Sequence, residues 1–373
     1  MQGVSMFFFA GGLLTVAYFF YYILKYSILN KNRNGLIFIL LFSAFIWALS
    51  ASPTFFDFIW ILFNTIQFIF VLFLVAHMFA TIFFYWKRNR YLKSLNTPDP
   101  LPSAAVVVAV FNEEDIIEET VQNLLKLEYD KDKLEIIVID DKSTDGTLDI
   151  LKKYEGKIQI VERQGPVIKG KPAAFNDLLP TLDAELICVF DCDSLPKPDF
   201  LIKGIRHFKD ENVALVQGRN IEYNQNTLVS RLVALDLDVI HFSVYFPKPI
   251  LKGMIMFEGR AAIFRRSTFL KLGGFDVDLP TEDWDYGCRL QVAGYTSVYD
   301  HTIKSYEQAP DDFKSYFKQR RRWLSSTVFS MLKNVSGVVK SSKLSFSQKT
   351  DYFFTSTYQL WSLTVNFFGL MVY

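Results

Sequence analysis

Leu186-Ile187-Cys188-Val189-Phe190-Asp191-Cys192-Asp193 is a run of five apolar residues closed by two carboxylates one residue apart. An unbroken apolar run of this length reads as a strand buried on both faces, the pattern of parallel sheets. Side chains alternate along extended chain, so Asp191 and Asp193 share a side and can face one hard cation. Ala104 to Val110, Glu135 to Ile139 and Ile158 to Val161 read as further strands. Helical spacing follows the first of these over Asn112 to Leu127, and a shorter helix is expected over Thr147 to Tyr154. Alternating strands and helices predict an α/β domain with a mostly parallel sheet. Ligands of such sheets sit beyond the carboxyl ends of the strands. Two acidic pairs fall there, Asp140-Asp141 and Asp191/Asp193.

Other clusters carry chemistry of the same kind. Lys171 opens an expected helix in Gly170-Lys171-Pro172-Ala173-Ala174 and is suited to a diphosphate, helped by the helix N-terminus. Thr281-Glu282-Asp283-Trp284-Asp285 places three acids in an expected short loop, where they can bind a cation, cap a helix or act as a base. Gln319-Arg320-Arg321-Arg322-Trp323 offers guanidinium groups for a leaving diphosphate and an indole face for a sugar. Gly165 to Lys171 has phosphate-loop spacing, but Pro172 stands where that motif needs Ser or Thr for magnesium.

Composition sets the surroundings. Half of the 373 residues are hydrophobic and 37 are Phe, with the excess before Trp86 and after Tyr352. Met6 to Leu29, Leu36 to Ser50 and Phe55 to Trp86 read as about three transmembrane helices, the third longer than one span requires. Lys25, Lys31 and Arg33 follow the first run, and Lys87, Arg88, Arg90 and Lys93 follow the third. By the positive-inside rule the middle of the chain is then cytosolic. Leu324 to Val339 is amphipathic and suits a helix lying in the interface plane, and Tyr352 to Tyr373 reads as the start of another span. The divisions are 1–97 for the N-terminal transmembrane region, 98–326 for the cytosolic domain behind a linker of Pro98, Pro100 and Pro102, and 327–373 for the interfacial helix and C-terminal span. The expected location is the cell membrane. A net charge of +1 gives no field for nucleic acid. Cys188, Cys192 and Cys288 make neither a CxxC nor a zinc spacing and read as reduced thiols.

Taken in order, Val110-Phe111-Asn112-Glu113-Glu114, Asp140-Asp141, Gly170-Lys171, Asp191-Cys192-Asp193, Thr281-Glu282-Asp283 and Gln319-x-x-Arg322-Trp323 resemble the family-2 processive glycosyltransferases: the hyaluronan, chitin, cellulose and poly-N-acetylglucosamine synthases. The resemblance covers roughly residues 103–326. It implies a GT-A fold with a Rossmann-like nucleotide half, and an inverting single displacement from a nucleotide-sugar, UDP by family preference, that forms β-linkages. It implies that Asp140 or Asp141, with Phe111 and Glu113, holds the nucleoside and that Lys171 meets the diphosphate. Asp191 and Asp193 would hold Mg²⁺ or Mn²⁺, Asp193 more directly. Asp283, beside Glu282, inherits the role of general base. Gln319, Arg322 and Trp323 would line the acceptor end. Relatives usually continue through further spans that complete a channel. A glycolipid synthase adding one sugar to a ceramide, diacylglycerol or polyprenyl acceptor is the alternative reading. Neither the donor sugar nor the oligomeric state is legible.

Overall fold

The computed structural model describes residues 53–164 and 170–357. The expected spans at 6–29 and 36–50, most of the phosphate-loop decoy and the last 16 residues lie outside the described residues. Helix α1 (Pro53–Ser94) leads into β1 (Ala104–Val110), α2 (Ile117–Leu124), β2 (Leu134–Asp140), α3 (Thr147–Lys152), β3 (Gln159–Glu162) and α4 (Gly170–Leu178). There follow β4 (Leu186–Phe190), β5 (Leu195–Pro196), α5 (Phe200–Gly204), β6 (Val213–Glu222), α6 (Leu228–Ile240), α7 (Lys248–Leu251) and β7 (Ala262–Arg265). The last elements named are α8 (Arg266–Lys271), α9 (Glu282–Val292), β8 (Thr296–Glu307) and α10 (Phe313–Lys340).

One eight-stranded sheet runs β3-β2-β1-β4-β7-β6-β8-β5. Its β3-β2-β1-β4 half is parallel and β6 pairs parallel with β8, as the mostly parallel expectation has it, whereas β7 runs antiparallel to both β4 and β6 and β5 antiparallel to β8, so the sheet is mixed with a parallel majority. The alternation along β1 shows why an all-apolar strand is needed. Ala104, Val106, Val108 and Val110 enter one core layer with Ile117 and Val121 of α2, while Ala105 and Val107 enter the other with Phe175 of α4 and Tyr286 of α9. Helices cover both faces, so the β1 side chains on each are buried.

Two boundaries differ from the sequence expectation for physical reasons. The helix after β1 starts at Ile117, not Asn112, because Asn112 to Glu114 bind the β2–α3 loop instead of a helix. Asn112 adopts φ 55°. Its Oδ1 accepts from Thr144 N at 2.7 Å, and Glu114 Oε2 accepts from Gly146 N at 2.6 Å. Likewise Glu282 and Asp283 stand in the first turn of α9 rather than in a loop.

The third apolar run is a single helix. Among the described residues one segment, Phe68–Ser94, is long and apolar enough to cross a membrane. Its C-terminal end docks on the sheet domain. Thr81 Oγ1 donates to Phe242 O at 2.9 Å, and Arg88 Nη2 donates to Tyr299 O at 3.0 Å. Position 326 lies within α10, whose Ser326, Ser330 and Asn334 face α9: Thr281 Oγ1 donates to Ser326 O, and Asn334 Nδ2 donates to Asp285 Oδ1.

Candidate active site

Strands β1, β2 and β4 are parallel neighbours, so the loops after them share one edge of the sheet. The chain winds from β1 outward to β3, then returns to the other side of β1 as β4. The crevice between β1 and β4 is therefore the topological switch point.

On the β2 side, Asp140 and Asp141 are buried. Asp140 accepts from Ser143 N at 3.2 Å, and Asp141 pairs with Arg163 at 2.8 Å. Phe111 stays exposed at the rim. Burial and then the neighbouring Glu113 carboxylate push the Cys192 thiol up.

The β4 side holds the charged centre. Lys171 Nζ pairs with Asp191 Oδ1 and donates to Gly259 O at 2.8 Å. Burial works against the charge on Asp191, but Lys171 and Arg260 outweigh it and hold this carboxyl below the usual range. Asp193 goes the other way: burial, then Asp191, push it up.

Residues 257–261 form the far wall, gripped from β6. Gln217 Oε1 accepts from Glu258 N at 3.0 Å, and Gln217 Nε2 donates to Arg260 O at 3.0 Å. Asn220 Nδ2 donates to Glu258 Oε2 at 3.1 Å. Gly259 takes φ 78°, a left-handed conformation, and a Cβ built on it would overlap Asp283 Oδ2. The loop thus approaches the acid so closely that only glycine fits. Asp283 Oδ1 accepts from Trp284 N at 2.7 Å. Burial pushes both Glu282 and Asp283 up, and each is a close negative neighbour in a site rich in acid.

From α10, Trp323 lies under two guanidinium groups, Arg260 at 5.9 Å and Arg320 at 4.8 Å from the ring centroid. Arg322 is exposed and adds positive potential at Asp191. Gln319 Oε1 is buried with no hydrogen-bond partner among the described residues, which favours a donor group arriving from outside.

Lys171, Asp191, Asp193, Glu282, Asp283, Arg322 and Trp323 therefore gather around Arg260, a residue the sequence reading left without a role. Arg260 pairs with Glu307, which ends β8, and approaches Asp191 at 3.7 Å. The signal existed in both cases. Glu258 and Arg260 interrupt what is otherwise a buried apolar stretch, and Glu307 closes a strand as Asp191 follows one. Asp285, the third acid of its run, is instead fully buried in ion pairs with Arg289 and Lys333.

A divalent cation fits this donor set. Asp191 and Asp193 stand one residue apart at a strand end, and Asp191 is held ionised by Lys171 and Arg260. Among the described residues no three His, Cys, Asp or Glu side chains converge on one ion position. Two carboxylates with the remaining positions left to phosphate oxygens and water is the usual arrangement for Mg²⁺.

Known proteins share this architecture. A family model described as glycosyltransferase-like family 2 matches residues 102–326. A Bacillus subtilis protein named probable glycosyltransferase YdaM is 29% identical over 280 residues, 73% of this chain and 65% of that protein. The poly-β-1,6-N-acetyl-D-glucosamine synthase of Staphylococcus aureus is 25% identical over 270 residues, 70% of this chain and 64% of the synthase. The chain thus spans slightly under two thirds of the length of these curated relatives. Among solved structures, a Pyrobaculum calidifontis mannosyltransferase in complex with GDP-Man and Mn²⁺ superposes with a TM-score of 0.57 at 23% identity, covering 78% of this chain and 81% of its own. That likeness bears on the fold.

Proposed function

This chain belongs to the family-2 glycosyltransferases, and from that premise we propose that it elongates a polysaccharide by inverting transfer from a nucleotide-sugar, UDP by family preference, at the cytosolic face of a membrane. The observation that carries the reading is the convergence of Lys171, Asp191, Arg260 and Asp283 around Gly259. Charge for a diphosphate and a base for an acceptor meet there across one backbone position. Polymer formation is supported by the relative named for poly-N-acetylglucosamine synthesis.

In this reading Phe111, Glu113, Asp140 and Asp141 line the nucleoside end. Lys171 and Arg322 neutralise the departing diphosphate. Mg²⁺ or Mn²⁺ would be held by Asp193 and Asp191 and would supply further charge compensation there. Asp283 Oδ1 is engaged by Trp284 N–H, so Oδ2 takes the proton of the acceptor hydroxyl. The acceptor oxygen attacks the anomeric carbon opposite the leaving group, and the free nucleoside diphosphate departs. Gln319 and Trp323 hold the acceptor sugar, the indole offering its face and the orphaned Oε1 accepting a hydroxyl. Residues 1–97 and 327–373 anchor the enzyme, and Lys87, Arg88, Arg90 and Lys93 at the end of α1 keep 98–326 on the cytosolic side.

The purified full chain in bilayers, given a panel of UDP- and GDP-sugars with Mg²⁺ or Mn²⁺, should release nucleotide from one donor and build long polymer. A product of one sugar on a lipid would reassign it to glycolipid synthesis. Nucleotide release from no donor would count against the reading.

Two further outcomes follow from the geometry. Because burial raises the Glu282/Asp283 pair and the base must be ionised, kcat/KM should fall as pH drops through an apparent pKa above the ordinary carboxylate value of about 4. A flat profile down to that value would contradict a buried base. Gly259→Ala should displace Asp283 and lower kcat by about 10²-fold, the cost of a roughly 1 Å misplacement. Unchanged turnover would show that the loop does not set the position of the base.

A further inference from the structure

The edge of the sheet away from the candidate active site carries a second cleft. Strands β4 and β6 both run antiparallel to β7, so they run parallel to each other, and β8 runs parallel to β6. Asp191 and Asp193 follow the carboxyl end of β4. Val213 and Thr296, which open β6 and β8, therefore stand at the opposite edge. Between these strand starts, the C-terminal end of α1, residues 206–210 and the end of α7 lies a cleft of about 470 Å³.

Its charge is one-sided. Arg88, Arg206, Lys209 and Lys252 line it against a single carboxylate, Asp210. Two other lining residues, His207 and Lys248, are already paired with Asp300 and Asp351. Among the described residues none of the four cations forms an ion pair. Arg206 Nε donates to Lys203 O at 2.9 Å, which leaves its terminal nitrogens without a partner among the described residues. Like charges gathered on one concave surface repel each other unless an anion joins them.

A second observation points to the same kind of ligand. Ser297 lines this cleft and is only 8% exposed, yet its Oγ has no hydrogen-bond partner among the described residues. A buried hydroxyl normally has one. Guanidinium forks, ammonium groups and a hydroxyl together suit the oxygens of a phosphate. The volume is that of a small-molecule site and leaves room for the body of the molecule that carries the phosphate.

We propose that this cleft is a second ligand site, separate from the nucleotide-sugar crevice, that takes the phosphate group of a small phosphorylated molecule. Arg88 and Arg206 grip the phosphate oxygens, Ser297 donates from the wall, and the exposed Lys209 and Lys252 neutralise the remaining charge at the mouth. Because Arg88 belongs to α1, the same chemistry can be supplied by a lipid headgroup or by a soluble molecule, and the test separates the two.

The full chain is titrated with inorganic phosphate in detergent, and binding is read from the broadening of the phosphorus NMR line. EDTA keeps divalent ions from drawing phosphate to Asp191 and Asp193, and sodium chloride holds the ionic strength constant. Binding should weaken by about tenfold or more in Arg206→Gln/Lys252→Gln and by about fivefold in Ser297→Ala, which removes no charge. It should persist in Lys171→Gln, a change in the other site. No binding to the wild-type chain would overturn the proposal. So would binding that is lost in Lys171→Gln and kept in the other two variants. Repeating the titration in phosphatidylcholine nanodiscs, with and without phosphatidylglycerol, names the source. Phosphate displaced by phosphatidylglycerol makes the occupant a lipid headgroup; phosphate binding that survives it makes the occupant soluble.

Discussion

Asp283→Asn should lower kcat by about 10²- to 10⁴-fold, the range contributed by a positioned general base, while donor affinity changes little. Asparagine keeps the size of the side chain and can still accept from Trp284 N, now at 2.7 Å, so the first turn of α9 is preserved. What is lost is the group that takes the proton. Because Lys171 is held by Asp191 and Gly259 O rather than by Asp283, the diphosphate end of the site keeps its charge. Nucleotide-sugar binding by calorimetry and steady-state turnover on the same preparations separate the two effects. Equal losses of binding and turnover would make Asp283 a donor ligand instead. Glu282→Gln is the necessary partner experiment. Glu282 is the adjacent acid and is also raised by burial, so the variant that loses more turnover identifies the base.

The second large effect is on stability. Lys248→Met should destabilise the chain by about 3–5 kcal/mol, the usual result of removing one partner of a buried ion pair. The Lys248 side chain is fully buried and that of Asp351 is 4% exposed. Its ammonium group donates to Met254 O at 2.6 Å, to Asp351 Oδ2 at 2.9 Å and to Thr355 Oγ1 at 2.9 Å. Asp351 Oδ2 accepts in turn from Met254 N at 2.8 Å. The pair joins α7, the segment 253–256 that leads to residues 257–261 and the helix at 346–357. Without Lys248, the buried Asp351 carboxylate keeps Met254 N–H and has His77 Nε2 at 3.9 Å, but loses its ammonium partner. The double variant Lys248→Met/Asp351→Leu removes both charges and should recover much of the loss in thermal unfolding. A double variant no more stable than the single one would show that the pair is not coupled. Because Met254 leads directly into Phe257 and Glu258, the single variant should also lose turnover.

The residues that were legible in the sequence are those whose role is local. β4 was readable to the residue because both faces are buried, which demands an unbroken apolar run ending where solvent begins. Lys171 was placed at its helix start for a similar reason. Roles that depend on contacts between distant segments were not readable. Glu258 and Arg260 stand out as charges in an apolar stretch, but nothing local says what Arg260 does; its meaning comes from Glu307, Asp191 and Trp323, all far away in sequence. The helical start of α2 failed because Asn112 and Glu114 satisfy a loop 32 residues on. The antiparallel place of β7 was not readable, because nothing in Ala262 to Arg265 says which neighbour it joins or in which direction. The acids of 281–285 looked equivalent in sequence, yet Asp285 is an internal ion-pair partner and Asp283 faces the site.

The anomeric configuration of the bond the enzyme makes tests the central claim most directly. The full chain, reconstituted in bilayers and supplied with the donor it turns over as the pure α-anomer, should yield a new linkage that proton NMR reads as β. Mass spectrometry of the rapidly quenched enzyme should find no sugar on any carboxylate. An α-linkage, or a glycosyl adduct on Asp283, would contradict single displacement with Asp283 as base.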